Sequence, residues 1–413
     1  MDDVKTLMAD LMVNYSNEIR PVKDQTRPVT VNVSMALVSI NDFNEVTGII
    51  SVVAILFLSW TDESLVWESG SYNNTTSVTF SQKKIWLPKM YLVNPATQFE
   101  PISNKHFKVE VKNNGSITWS PGRIIEATCT PDVSDYPFDQ QTCTIDVTAY
   151  DYSSWHVSLN VSQPQIGLDF FTTNSAWDVT STSVSVRTYV SDIVSFRITM
   201  TRRPLNFMVS VVIPIILLAI VNPFVFILPY NSGERVSYSI TVLLAFTVYM
   251  TVVSDRMPAS SDPVSQLSYY ILSMLSLSVF IVVINIIQIR TYNKHDNDEP
   301  MNPWIRSLAL FFHKFCRKGK VESNLKDEKV IKQTSEATDG MNTYNVMRID
   351  SVDETDTIRT HPNEKNGVQK TGPVPPEHIT WQTIARLADK FYFILFLVFT
   401  GISSLIYYLS VTI

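Results

Sequence analysis

Charge, glycine and cysteine are all scarce in this 413-residue chain. Charged residues make up 17% of it, against roughly 25% in ordinary soluble domains. Glycine occurs 11 times, which argues against a glycine-rich nucleotide-binding enzyme and against collagen-like repeats. Three cysteines are too few for a disulfide-stapled miniprotein. There is no basic surplus either. The net charge is -6, so nucleic acid is not expected as a partner, because phosphate binding needs a basic face. His106, His156, His295, His313, His361 and His378 are scattered, and the sequence contains no H-E-x-x-H, G-x-x-x-x-G-K or G-x-S-x-G motif. Neither an enzyme, nor a metal site, nor a cofactor is therefore expected.

The charges that are present are segregated. Four stretches carry none: 207–228, 236–254, 269–289 and 391–413. About 20 apolar residues in a helix cross the roughly 30 Å of a bilayer's hydrocarbon. Four buried core helices of such length are a poor alternative, so these are read as membrane spans. Six N-glycosylation sequons, at Asn14, Asn32, Asn73, Asn74, Asn114 and Asn160, all precede the first span. Arg235 follows the first span, and Arg290, Lys294, Arg306, Lys314, Arg317, Lys318 and Lys320 follow the third. Positive-inside logic then places those links in the cytoplasm and both termini outside, and a multi-pass protein of the plasma membrane is expected. The first 30 residues show no signal-peptide pattern, which reads as a mature or recombinant N-terminus with any targeting segment removed.

Val4, Leu7, Met8, Leu11 and Met12 recur at helical spacing and predict a short amphipathic N-terminal helix. From about Val29 to Met200 the pattern becomes alternating and β-branched, with turn signals such as Asn113-Asn114-Gly115 and Ser120-Pro121-Gly122. About ten such strands predict an Ig-like antiparallel sandwich. The domains read as 1–203 extracellular sandwich, 204–289 spans one to three, 290–390 cytoplasmic loop and 391–413 fourth span. The loop is polar and expected to be largely disordered, with a helix at about 378–390 running into the last span. Arg386 and Lys390 on that helix suit either lateral cytoplasmic exits or lipid-headgroup anchoring. Cys316 falls on the cytoplasmic side and is expected to be reduced.

The second span has a polar stripe. Glu234, Ser237, Thr241, Leu244, Val248, Val252 and Asp255 are separated by three or four residues and share one helix face. Several copies around an axis would form a pore with acidic mouths, hydroxyl rings and an aliphatic belt able to gate by dewetting. Packing of the stripe on neighbouring helices is the simpler alternative. Cys129 and Cys143 enclose Tyr136-Pro137-Phe138-Asp139, and a disulfide is the default for such a pair outside the cell. It closes a loop in which Pro137 can be cis. A stapled hairpin without further role remains open on chemistry alone.

These residues resemble a known family. Cys129-x13-Cys143 with Tyr136-Pro137-Phe138-Asp139 is similar to the signature loop of the Cys-loop pentameric ligand-gated channels. Trp60-Thr61-Asp62, Trp86-Leu87-Pro88, Trp119-Ser120-Pro121, Arg202-Arg203-Pro204 and Gly233-Glu234-Arg235 match the family in order, as do the four spans and the long third link. The chain is most similar to the cation-selective nicotinic acetylcholine and serotonin type 3 branch, in an invertebrate-like form. Gly233-Glu234-Arg235 stands where anion-selective members usually carry Pro-Ala before the basic residue. The resemblance implies a homo- or heteropentamer that conducts cations, contacts membrane lipids and binds a small-molecule agonist between neighbouring sandwiches. It also implies a neurotransmitter-receptor setting such as a postsynaptic membrane. Two alternatives stay open: a subunit functional only in a heteropentamer, and a membrane-anchored binding or adhesion receptor.

Carried over by position, the agonist site is depleted of aromatics. Val93 stands where relatives have Tyr, Tyr150 where nicotinic relatives have Trp, and Ile55 where the complementary face usually has Trp. Trp155 is expected to pack elsewhere, and Phe57 to substitute for Ile55 only with a register shift. The hairpin 183–192 lacks the adjacent Cys pair and offers only Tyr189, while Thr118 and Ser120 line the far wall. Each missing aromatic face weakens the hold on a cation by about 0.5–2 kcal/mol. Acetylcholine is thus expected to be a poor agonist or none. For coupling, the resemblance places Glu45, Val46, Phe138, Asp139 and Arg203 at the membrane boundary, facing an outer link with Pro258. A partly buried Glu45–Arg203 ion pair is expected there.

Overall fold

A run such as Ile49–Val66, in which every second residue is apolar, can bury one face only as a strand. The computed structural model, which describes residues 2–103, 106–257, 264–294 and 380–412, has that architecture. Helix α1 (Asp2–Leu11) precedes eleven strands. They are β1 (Val29–Asn44), β2 (Ile49–Val66), β3 (Ser77–Ser81), β4 (Met90–Leu92), β5 (Lys108–Lys112), β6 (Asn114–Trp119), β7 (Gly122–Thr128), β8 (Gln140–Ala149), β9 (Val157–Val161), β10 (Trp177–Thr188) and β11 (Asp192–Arg202). Seven form one sheet, in the order β3-β5-β6-β2-β1-β9 with β7 also paired to β2. The other sheet runs β10-β11-β8-β4. The alternate residues of β2, β8 and β11 fill the space between them with Leu56, Leu58, Ile145, Val147, Phe196 and Ile198, all buried. Leu7 of α1 joins this core.

The turn signals have physical causes. Gly115 opens β6 at φ +80°, and a Cβ there would lie 2.5 Å from the Asp62 carbonyl oxygen, so only glycine fits. Gly48 (φ +65°) turns the chain between β1 and β2 and accepts the Cys129 N–H at 2.8 Å. That bond seats the Glu45-Val46 tip against the start of the 129–143 loop. Cys129 and Cys143 are disulfide-bonded, and the Tyr136–Pro137 peptide is cis.

Among the described residues, four helices are long and apolar enough to cross a membrane. These are α2 (Leu205–Ile227), α3 (Glu234–Ser254), α4 (Gln266–Tyr292) and α5 (Trp381–Ser410, helical on to Thr412). The expected helix before the last span is thus continuous with it from Trp381 onward. Helix α2 is irregular. A wide turn at Met208–Val212 precedes Pro214, and a tight one at Asn222–Ile227 contains Pro223, because proline offers no N–H to the ladder. Residues 295–379, with Cys316 and the expected disordered loop, lie outside the described residues, as does Pro258.

Two compact units are distinguished. The first comprises Met1–Asn222, Thr241–Val279 and Phe399–Ile413. Within it, the Gln266 N–H donates to the Ser134 carbonyl at 3.0 Å, and Tyr136 meets Phe207 edge-on at 4.8 Å, so the 129–143 loop touches α2 and α4. Tyr270 stacks on Tyr407 and bonds Ser404. The second unit comprises Pro223–Ile240 and Phe280–Val398. There Asn285 donates to the Ser239 hydroxyl at 3.2 Å, and Phe226, Tyr392 and Phe396 stack.

Candidate functional site

Along α3 the burial follows the stripe read from sequence. Val242, Phe246 and Val253 are buried, while Glu234, Ser237, Thr241, Leu244, Val248, Val252 and Asp255 are all exposed. Arg235 and Ser239 are buried on the same side, and the exposed side, which mixes carboxylates and hydroxyls with Ile240, Leu244, Val248 and Met250, needs water or protein against its polar groups. The exposed arc is wider than the seven residues. At about 100° per residue, Thr251 lies some 20° from Leu244, closer to the middle of the arc than Val252. Thr247 is exposed too. Thr247 and Thr251 donate their hydroxyls back to the Leu244 and Val248 carbonyls at 2.7 Å.

At the sandwich's membrane-proximal end the expected Glu45–Arg203 pair is not formed. Glu45 pairs with Arg202, whose Nε also donates to Asp139 Oδ1 at 2.6 Å and whose Nη2 donates to Oδ2 at 3.1 Å. Arg203 instead pairs with the exposed Asp178. Strand parity decides this. Even-numbered residues of β11 point inward, so Arg202 follows Ile198 and Met200 toward the core and Arg203 faces out. The Arg202 guanidinium lies 4.7 Å over Tyr136 and 4.3 Å over Trp177. Burial opposes its charge, but the hydrogen bonds and attraction of Asp139 and then Glu45 outweigh it and hold the group protonated above the usual arginine range. Desolvation pushes the Tyr136 hydroxyl up to about 12. Asp139 also accepts Gln141 Nε2 at 2.6 Å, while Phe138 and Val46 are exposed beside this cluster's two loops.

The agonist-site positions fall on two surfaces. On β2, Ile55 and Phe57 share the face turned away from the core, so Phe57 stands beside Ile55 without a register shift. Thr118 pairs with Ser59 and, like Ser120, is half-buried on that same face. On the four-stranded sheet, Tyr150 is 61% exposed and follows β8. It contacts Tyr91 (5.6 Å between centroids) and Phe99 (4.9 Å), which stack on each other at 4.9 Å. Val93 is exposed close by in sequence, with its N–H on the Asp146 carbonyl. Tyr189 lies exposed at the β10–β11 tip, where Ser154 N–H holds the Val190 carbonyl. Trp155, expected to pack elsewhere, is 80% exposed.

Sequence reading missed Tyr91 and Phe99. Tyr91 was findable, since buried Met90 and Leu92 leave it facing outward. Phe99 was not, because it arrives through a non-local fold-back in which Ile102 N–H bonds the Met90 carbonyl. All six sequon asparagines lie before α2. Asn32 is half-buried and accepts from Asn160 Nδ2, while the other five are exposed.

Comparison with known proteins accords with this geometry. Residues 4–204 match the neurotransmitter-gated ion-channel ligand binding domain, and residues 211–379 the neurotransmitter-gated ion-channel transmembrane region. The acetylcholine receptor subunit alpha-1-B of Xenopus laevis is 28% identical over 319 residues, covering 75% of this chain and 69% of that subunit. The acetylcholine receptor subunits alpha-type acr-16 of Caenorhabditis elegans and Caenorhabditis briggsae are 30% and 31% identical over 320 residues. Those alignments cover 75% of this chain and 63% of either nematode subunit, so the chain spans less than two thirds of their length. Sandwich, disulfide loop and four spans together place this chain in the neurotransmitter-gated, Cys-loop ion-channel family, whose members are channels and not enzymes, as a subunit related to the nicotinic and serotonin type 3 receptors with a divergent agonist region.

Proposed function

We propose that this chain forms a ligand-gated, cation-conducting pore with four copies of itself or of related subunits. The observation that carries the reading is the exposed polar stripe of α3, from Glu234 to Asp255. Five such helices around an axis give a carboxylate ring at each mouth, hydroxyl rings at Ser237 and Thr241, and an aliphatic constriction at Leu244 and Val248. Glu234 sets cation preference, and Asp255 concentrates cations at the outer end. The sandwich faces outward, both termini are extracellular, and the sequons sit on the glycosylated side. Agonist binding between sandwiches reaches the pore through Glu45, Val46, Phe138, Asp139 and Arg202, and the loop that carries Phe138 and Asp139 touches α2 and α4.

The agonist is a small molecule held by Tyr91, Phe99 and Tyr150 on one subunit and by Phe57, Ile55, Thr118 and Ser120 on the next, with Tyr189 capping. The matched relatives are acetylcholine receptor subunits. Val93 and Ile55 remove two cation-binding ring faces here, and acetylcholine is a poor agonist on this reading. That same depletion favours a second reading, in which the chain completes a site only beside a different subunit.

The test is expression of the chain alone, with its size measured in detergent and its currents recorded during a ligand screen. A pentamer with agonist-evoked current supports the homomeric reading. A pentamer or monomer silent to every ligand, with current restored by related subunits, supports the heteromeric one. For Glu234→Ala with an inserted Pro, reversal potentials in a sodium chloride gradient should move toward chloride. Unmoved potentials would remove Glu234 from the selectivity role.

A further inference from the structure

Two of the sequon asparagines touch each other. Strand β1 pairs with β9 in parallel, and the register sets Asn32 against Asn160. Asn160 Nδ2 donates to Asn32 Oδ1 at 2.9 Å. Both open the same kind of triplet, Asn32-Val33-Ser34 and Asn160-Val161-Ser162, so the sequence gives no reason to prefer either. The fold does distinguish them. β1 lies between β2 and β9, whereas β9 ends the seven-stranded sheet. Asn32 is half-buried between two strands, and Asn160 is exposed at the edge.

N-glycosylation joins the side-chain Nδ2 to the anomeric carbon of an oligosaccharide carried on a polyprenyl pyrophosphate. The N–C bond forms, the C–O bond to pyrophosphate breaks, the polyprenyl pyrophosphate leaves with the electron pair, and Nδ2 loses one proton. The product nitrogen keeps one hydrogen. At Asn160 that hydrogen is enough for the bond to Asn32, so a glycan there leaves the pair intact. At Asn32 the sugar has to rise between Ser59 and Asn160, its neighbours on either side. Strands lie about 4.8 Å apart, less than the width of a pyranose with its substituents, so the pair has room for one glycan and not two.

The pair also has a defined neighbourhood. Thr118, Ser59, Asn32 and Asn160 form one row across β6, β2, β1 and β9. The residues beside them, Ile117, Leu58, Val31 and Leu159, are buried, so the row lies on the outer face of the seven-stranded sheet. Phe57 opposes Ser34, two residues on from Asn32, which makes Asn32 and Phe57 diagonal neighbours about 7–8 Å apart. A glycan on Asn32 would cover Phe57. One on Asn160 stands at the rim of the same face.

We propose that the pair carries a single N-linked glycan on Asn160, with Asn32 left unmodified as its hydrogen-bond partner, and that this glycan walls the β9 side of the surface formed by Phe57, Ile55, Thr118 and Ser120. The wall admits small molecules and keeps large ones off. Its bearing on an agonist rests on the channel reading, whereas the modification needs only the sandwich on the glycosylated side of the membrane.

The test is glycopeptide mass spectrometry of the full chain made in a eukaryotic secretory pathway, with Asn14, Asn73, Asn74 and Asn114 as internal standards. We expect glycan at Asn160, none at Asn32, and one glycan lost from the intact mass in N160Q and in S162A but not in N32Q. S162A removes the sequon and keeps both asparagines, which controls for loss of the pair. Glycan on Asn32, on both residues of one molecule, or on neither while the standards are occupied overturns the proposal. Bare asparagine at all six sequons overturns it together with the extracellular placement. For the wall, S59C in a C316S background is treated with a maleimide on a long polyethylene glycol and with N-ethylmaleimide. The large reagent should react severalfold faster after S162A or enzymatic deglycosylation, and the small one at an unchanged rate. Equal rates for the large reagent overturn the wall, and equal acceleration of both reagents, a sign of local unfolding, does so too. Neither measurement uses an agonist, so this proposal and the channel reading fail separately.

Discussion

Arg202 touches two carboxylates and two aromatic rings with a side chain 13% exposed, whereas its neighbour Arg203 meets one exposed carboxylate. A charge in the first environment has lost its water and depends on its partners, while one in the second keeps its water. Arg202→Gln leaves Asp139 buried without its cation, a loss of about 3–5 kcal/mol for a deeply buried pair. We expect that variant to lose surface expression or agonist response, and its thermal midpoint to fall sharply. Arg203→Gln should change neither beyond scatter. In the cycle of Glu45→Gln with Arg202→Gln, coupling of about 0.5–3 kcal/mol is expected from residues in one network. Simple addition of the single effects would remove Glu45 from the network. Sequence alone held the information for this assignment. Val194, Phe196, Ile198 and Met200 are apolar at every second position, and the same parity selects Arg202. A family motif does not separate Arg202 from Arg203, because adjacent arginines look equivalent in a motif although they face opposite sides of the chain.

The helix α3 belongs to the next scale, because none of its residues means much singly. Period 3.6 made its stripe legible, and period 2 made β2 and β8 legible, since in each case burial follows the repeat of the element itself. What the repeat does not reveal is the width of the exposed arc. Thr247 and Thr251 lie on it but interrupt a list built on steps of three and four. Their hydroxyls are turned back on the helix backbone, so they present methyl groups outward as much as polar atoms. Nor does a hydropathy run reveal that α2 changes pitch at Met208–Val212 and again at Asn222–Ile227. In a dewetting gate the constriction must be apolar. Leu244→Ser should therefore stabilise water in the pore, move half-maximal activation to about tenfold lower agonist or produce spontaneous current, and slow closure. Thr251→Ser should leave activation near wild type. If Leu244→Ser needs the same agonist concentration as wild type, the gate lies elsewhere on the arc.

At the scale of the molecule the two agonist surfaces have a geometric relation that one protomer cannot resolve by itself. Phe57, Ile55 and Thr118 lie on the outer face of the seven-stranded sheet. Tyr91 and Tyr150 lie outside the four-stranded one, since Met90, Leu92 and Ala149 point into the core between them. Outer faces of two packed sheets diverge, so a pocket that uses both must take one from each of two neighbouring copies. This yields a complementation experiment. Tyr150→Ala with Phe99→Ala should raise half-maximal agonist concentration of the homomer, with about 0.5–2 kcal/mol lost per ring for a cationic agonist. Phe57→Ala should do the same from the other side. Coexpression of the two variants creates some interfaces in which both intact surfaces meet, and those should restore a fraction of the high-sensitivity current. Either variant alone has no such interface. If coexpression gives only the two low-sensitivity components, the rings of Tyr91, Phe99 and Tyr150 do not meet the β2 face of a neighbour, and the agonist binds within one sandwich or at another surface.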